Sequence, residues 1–187
     1  VLAKTIVEVC RGEIEQIKDK YWFEQPPRTY LRRIRRKTAL LIAASCQLGA
    51  LAAGAPESVA KRLYWFGHYV GMSFQITDDI LDFTGTEEQL GKPAGSDLLQ
   101  GNITLPVLYA LRDERLKAAI TAVSPETNAD EMAAVISAIK RTDAIDQSYA
   151  LSDRYLEKAL RLLGELPANK ARTLLHDLAL YIGKRDY

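Results

Sequence analysis

Apolar residues recur along this chain at three- and four-residue intervals, and two-residue alternation is almost absent. That pattern predicts helices and no sheet. Ile6, Cys10, Glu13 and Ile17 share one helical register, so a first helix is expected to run to about Phe23 and to stop at Pro26 and Pro27. With no capping residue before the run, Val1 reads as the interior of a helix and suggests a piece of a larger protein. A second helix is expected over 28–53, closed by Gly54 and Pro56, and a third over 58–83 with Gly85 as its stop. Residues 85–101, with Gly91, Pro93 and Gly95, predict one long loop. Thr104 is placed to cap a following helix with Pro106 in its first turn. Further helices fit 114–122, 129–140, 143–163 and 167–183. The expected fold class is all-α, a helical bundle carrying one long loop.

Composition changes this picture little. The formal net charge of +1 over 187 residues gives no overall pull toward nucleic acid or membrane, so charged sites must be sought locally. The long uncharged stretch 39–56 is richer in Ala and Gly than in Leu and Ile and includes Ser45 and Gln47. It reads as a close-packed buried helix rather than a membrane span. Cys10 and Cys46 form neither a metal-spaced pair nor a disulfide framework. They are expected to be reduced core thiols of a cytoplasmic protein.

The chemistry concentrates in Phe74-Gln75-Ile76-Thr77-Asp78-Asp79-Ile80-Leu81-Asp82-Phe83. On a helix Asp78 and Asp82 stand at i and i+4, with Asp79 beside them and Gln75 and Gly71 continuing the line. Like charges so spaced repel, and at a helix C-terminus the dipole opposes them further. Met72, Phe74, Ile76, Ile80, Leu81 and Phe83 imply a largely buried helix, where desolvation raises that cost. Such a cluster calls for a cation, and oxygen donors alone favour Mg²⁺ bridging carboxylate to phosphate.

Two places offer positive charge for a phosphate. Tyr30, Ile34, Lys37, Thr38 and Leu41 form one helical stripe, so Lys37 and Thr38 are expected to face inward as a diphosphate clamp. Arg32, Arg33 and Arg36 are expected to point elsewhere as a solvated basic face that could meet a partner subunit. No aromatic platform accompanies them for nucleic acid. Lys92, amid glycines within 90–97, is the second candidate. His68, among Tyr64, Trp65, Phe66 and Tyr69, reads as a packed histidine, and His176 offers nothing more catalytic.

Taken together, Gly12-Glu13-x-x-Gln16, Lys37-Thr38-Ala39, Phe74-Gln75-x-x-Asp78-Asp79-x-x-Asp82, Gly91-Lys92 and Asp97-Leu98-x-x-Gly101-x-x-Thr104-Leu105-Pro106 resemble the trans-polyprenyl diphosphate synthase family. The stretch 85–106 is similar to the catalytic component of its two-subunit bacillary members. The resemblance implies an isoprenoid-synthase-like helical bundle, of which residues 1–187 would be the C-terminal part of a single domain. It also implies Mg²⁺-dependent condensation of isopentenyl diphosphate with an allylic diphosphate, farnesyl diphosphate, to a heptaprenyl (C35) product for quinone side chains. Asp78, Asp79 and Asp82 would bind Mg²⁺, the last directly or through water. Lys37 and Lys92 would hold the allylic diphosphate, with Thr38 and Gln75 near the reacting carbons. Gln16 and Asp97 would support substrate binding, and Lys184 and Arg185 would close over the second diphosphate. A smaller partner subunit, or a homodimer, is implied as well.

The chain departs from the family pattern in carrying one aspartate-rich motif where members have two, so the first is expected upstream. Asn102 also stands where short-chain relatives often have Lys. Two other readings remain open: a non-catalytic subunit, and a terpene-cyclase-like relative. The second metal motif usual in cyclases, with Asn and Ser or Thr, is absent from the sequence.

Overall fold

A computed structural model describes residues 1–183, and among them no strand occurs. Helix α1 (Leu2–Lys18) turns at 19–26 into α2 (Pro27–Ile34). That helix continues through a π-helical segment (Arg35–Ala39) into α3 (Leu40–Ala52). Next comes the long α4 (Glu57–Thr84), then two short helices, α5 (Glu87–Leu90) and α6 (Ser96–Leu99). The remaining elements are α7 (Leu105–Ala110), α8 (Glu114–Thr121), α9 (Ala129–Lys140), α10 (Ala144–Gly164) and α11 (Lys170–Gly183).

The all-α expectation and the span of α4 agree with the structure. Three local differences matter. The first helix ends at Lys18 rather than Phe23, because Tyr21 adopts a left-handed φ of 55°. The expected second helix carries a π segment in its middle, which a 3.6-residue period does not encode. The 85–101 loop contains α5 and α6, the former closed by a Thr86–Gln89 capping box.

Helix α4 is the central element, packed most extensively on α3 and α10. Glycine permits the closest approach. A Cβ on Gly71 would lie 2.6 Å from the Ala39 Cα, and one on Gly67 would lie 2.8 Å from the Ile42 carbonyl. On the α10 side, Ser73 and Ser152 share a hydrogen bond of 2.8 Å, and Thr77 and Ser152 one of 3.0 Å. These buried hydroxyls satisfy one another, so the small-residue seam carries no polar penalty. The main core runs from Tyr30 and Ile34 through Ile76, Ile80 and Phe83 to Leu98, Leu105 and Ile139. A second cluster joins Phe66, Val70, Leu156 and Leu163 to α11.

Both cysteine expectations need revision. Cys10 is exposed on α1, and Cys46 is only partly buried, against the second cluster. The register of α1 was read correctly, but Ile6, Ile14 and Ile17 on it are exposed as well. His68 is buried against Trp65 and Tyr69. Burial, aided by the charge of Arg35, lowers its pKa to about 4, so it packs as a neutral ring.

Candidate functional site

The C-terminal half of α4 brings its acidic run to the mouth of a cleft that encloses about 530 Å³ including its open end. One wall consists of α2 and the π segment and supplies Tyr30, Arg33 and Lys37. The opposite wall is the 85–104 stretch, supplying Lys92, Asp97, Asn102 and Thr104. Gln75, Asp78 and Asp79 form the floor, and Gln16 of α1 closes one side.

The π segment is held from two directions. On one side Gly71 admits Ala39. On the other, Gly12 of α1 lies where a Cβ would come within 2.8 Å of the Lys37 backbone nitrogen. Lys37 is thereby placed with its Nζ donating to Gln16 Oε1 at 3.0 Å and 3.4 Å from Glu13. Gln16 in turn donates from Nε2 to Asn102 Oδ1 at 3.2 Å, linking the two walls. Thr38 does not line the cleft itself; its hydroxyl donates to Gln75 Oε1 at 2.6 Å.

The three carboxylates of α4 occupy different surroundings. Asp78 is exposed at the cleft, with Gln75 Nε2 at 3.5 Å. Asp79 is buried, and both its oxygens are bonded. Tyr30 donates to Oδ2 at 2.7 Å and Gln75 Nε2 to Oδ1 at 2.9 Å. Burial raises the Asp79 pKa to about 7, and the Asp97 and Asp78 carboxylates add to the rise against the bonds from Tyr30 and Gln75. Asp82 is buried beneath the loop rather than in the cleft. It accepts from Ser96 Oγ at 3.0 Å, from the Asp97 N–H at 3.1 Å and from Lys92 Nζ at 2.8 Å. Lys92 also lies 3.5 Å from Asp97. Burial opposes the charge on Lys92, but the bonds and charges of Asp82 and Asp97 raise its pKa overall. Asp97 is raised as well, by burial first and by the Asp82 charge.

The expectation for the arginines is corrected for two of three. Arg32 is exposed. Arg33 is 4% exposed and donates to Asp19, to Gln25 and, at 2.7 Å, to the Ile103 carbonyl, while still lining the cleft. Arg36 is half-buried, paired with Glu8 and Glu15 of α1. The helix face facing α1 and the 19–25 turn is therefore rich in ion pairs rather than solvated.

The cleft thus gathers Gln16, Lys37, Gln75, Asp78, Asp79, Lys92 and Asp97, with Thr38 one hydrogen bond away and Asp82 behind the loop. Lys184 and Arg185 lie outside the described residues. Sequence reasoning passed over Tyr30 and Arg33 as site residues. For Tyr30 the signal was available, since it shares the Lys37 stripe.

Among the described residues no three His, Cys, Asp or Glu side chains converge as a metal cage. The donor set nevertheless fits a hard cation that takes part of its shell from a phosphate. Carboxylates crowd the floor, one of them held toward its neutral form by burial and by its neighbours. The buried Thr104 Oγ1, at the same cleft, has no hydrogen-bond partner. Asp78 and Asp79 would hold such an ion, whereas Asp82 lies beneath the loop and is already paired with the Lys92 ammonium.

The sequence and fold are shared with known proteins. The chain is 87% identical over its full length to heptaprenyl diphosphate synthase component 2 of Geobacillus stearothermophilus, and 62% identical to that of Bacillus subtilis. It spans only 58% and 54% of those proteins. The crystal structure of heptaprenyl diphosphate synthase from Staphylococcus aureus matches with a TM-score of 0.95 at 44% identity, over all of this chain and 59% of that one. Polyprenyl synthase from Caulobacter crescentus, solved with calcium and isoprenyl diphosphate, matches with a TM-score of 0.91 at 32% identity, over all of this chain and 58% of that one. Residues 1–139 match the polyprenyl synthetase family model, and the chain belongs to that family.

Proposed function

We propose that this chain is the C-terminal portion of a single-domain, Mg²⁺-dependent trans-prenyltransferase. The enzyme condenses isopentenyl diphosphate with an allylic diphosphate, farnesyl diphosphate, to a heptaprenyl product for quinone side chains. The observation that carries the reading is the convergence of Lys37, Arg33 and Lys92 with Asp78, Asp79 and Asp97 in one cleft. Phosphate oxygens are recognised by such cations, and carboxylates opposite them are tolerable when a cation bridges the two.

Lys37 and Lys92 bind the allylic diphosphate from opposite walls, and Arg33 adds fixed positive charge below them. When bound, Mg²⁺ at Asp78 and Asp79 supplies charge neutralisation for the departing diphosphate. Gln75 lines the cleft beside the reacting allylic carbon, its amide fixed by hydrogen bonds from Thr38 and to Asp79. The isopentenyl double bond attacks that carbon, and a proton is lost. The first aspartate motif comes from sequence upstream of these residues, consistent with the share of the relatives' length that this chain spans.

A smaller partner subunit is part of the proposal, because both bacillary relatives are called component 2. The reaction is assigned to the cytoplasm, and no helix among the described residues is long and apolar enough to cross a membrane. The test is Mg²⁺-dependent incorporation of labelled isopentenyl diphosphate onto farnesyl diphosphate by the intact protein with its partner. Asp78→Ala is expected to lower turnover by about 10²–10³-fold. Absence of any polyprenol from the wild-type complex would sink the proposal.

A further inference from the structure

The third carboxylate of the acidic run does a different job from the first two. We propose that Asp82 is a positioning residue that fixes the 92–97 segment, rather than a ligand of the metal. This inference rests on the reading of the cleft as a metal–diphosphate site.

Asp82 is 1% exposed and lies one helical turn beyond Asp78. Its Oδ1 accepts from Ser96 Oγ and Lys92 Nζ, and its Oδ2 accepts from the Asp97 N–H. Its main-chain carbonyl accepts from the Gly95 N–H at 2.7 Å. One residue of a rigid helix therefore takes hydrogen bonds from Gly95, Ser96 and Asp97 in succession and pairs with Lys92. Asp82 thus carries three donors on its two oxygens, one of them the Lys92 ammonium that compensates its charge, whereas the two donors on Asp79 are neutral and leave its charge uncompensated.

The back of the segment is equally constrained. Gly95 has φ +73°, and a Cβ there would lie 2.6 Å from Ile136 Cδ1 and 2.8 Å from Met132 Cε. The segment is seated between Asp82 in front and α9 behind. Its far end is fixed separately. Tyr21 donates from its hydroxyl to the Leu99 carbonyl at 2.7 Å, and its N–H bonds the Gly101 carbonyl at 2.9 Å. From the segment so anchored, Lys92 and Asp97 line the cleft. The device is a buried acceptor on a helix that organises a polar loop through backbone and side-chain donors, as outer-shell groups orient site residues elsewhere.

Hydrogen exchange and metal binding separate the two roles. In the intact protein, without metal or diphosphate, Asp82→Asn is expected to speed amide exchange across 92–99 by about tenfold or more. Asp78→Asn is expected to leave it within about twofold. In a titration with Mn²⁺ alone, followed by electron paramagnetic resonance, Asp78→Asn should weaken binding about tenfold or more, and Asp82→Asn by less than about threefold. The inference is overturned if Asp82→Asn leaves loop exchange unchanged, or if it weakens Mn²⁺ binding as much as Asp78→Asn does. Should Asp82→Asn fail to fold, Ser96→Ala removes one of the same bonds and is expected to speed exchange over 92–99 by about three- to fivefold; unchanged exchange there also overturns it. Failure of the metal reading would appear separately, as Mn²⁺ binding indifferent to Asp78.

Discussion

The two walls of the cleft carry comparable charges on opposite kinds of support. On the helical wall, Lys37 projects from a π segment gripped by Gly12 and Gly71, with Arg33 beneath it bonded to the 19–25 turn and to Ile103. On the loop wall, Lys92 is 42% exposed and is held by two carboxylates. The helical wall owes its geometry to packing, which tolerates little displacement. The loop wall owes its geometry to the polar contacts of Asp82 and Tyr21 and to the seat of Gly95 against α9, with the Lys92 side chain its solvated part. Under the proposed function, the helical wall sets where the charge must sit, and the Lys92 side chain adjusts when the diphosphate arrives.

The largest expected difference between the walls is in stability. Arg33→Met would leave Asp19 and the Ile103 carbonyl without a buried donor. It should cost about 3–5 kcal/mol in denaturant unfolding of the intact protein. Lys92→Met should cost less, about 1–2 kcal/mol, because Lys92 is substantially solvated even though the buried Asp82 loses its counter-charge. The comparison breaks if the two substitutions are equally destabilising.

Activity should invert that order. Lys92→Met is expected to lower turnover by about 10²-fold, equivalent to roughly 2.7 kcal/mol of barrier. The folded population stays near that of the wild type. Steady-state incorporation of isopentenyl diphosphate, with circular dichroism of the same samples, measures both. A variant that keeps full turnover would remove Lys92 from the site.

The two walls were also unequally legible in the sequence. The run Asp78–Asp82 and the helix bearing it could be read directly, because a 3.6-residue period sorts Ile76, Ile80 and Phe83 onto the core side. The grip of Asp82 on the loop could not, since it depends on donors 14 and 15 residues later in the chain. Lys37 was placed inward by its stripe, yet the π segment that carries it leaves no mark in composition. Arg33 was misread for a related reason. Four basic neighbours make a solvated face the natural expectation, and only tertiary structure brings Asp19, Gln25 and the Ile103 carbonyl to one guanidinium. Cys10 is exposed although a free thiol usually packs as a small hydrophobe, because composition does not show which face of α1 the core covers.

Gly71 tests whether packing really governs the helical wall. Gly71→Ala places a methyl 2.6 Å from the Ala39 Cα, a backbone atom that cannot move alone. Overpacking of this kind should cost about 1–3 kcal/mol. The π segment should shift with it, raising KM for the allylic diphosphate. At Gly91, on the loop wall, a Cβ would meet nothing within 4 Å. The strain of Gly91→Ala is confined to its positive φ of 65° and should be about 1 kcal/mol. Thermal unfolding and KM of the two variants sharpen the contrast, and equal KM values would show that the π segment is less constrained than its contacts indicate.

The smallest effect concerns the floor where the walls meet. The pKa of Asp79, about 7, stands above its ordinary value of 3.8. The metal-free folded state therefore binds its proton more tightly than the unfolded chain does. Its contribution to stability is fully present below about pH 4 and is lost as pH rises through about 7. The Tyr30 hydrogen bond opposes that rise in pKa, so Tyr30→Phe should move the loss to higher pH while costing about 1–2 kcal/mol by removing a buried donor. Melting temperatures of both proteins from pH 5 to 8.5 in chelator, taken as a difference, cancel the titration of histidines and other groups common to both. The difference should vary with pH around neutrality. A constant offset would mean that Tyr30 supports Asp79 by packing alone.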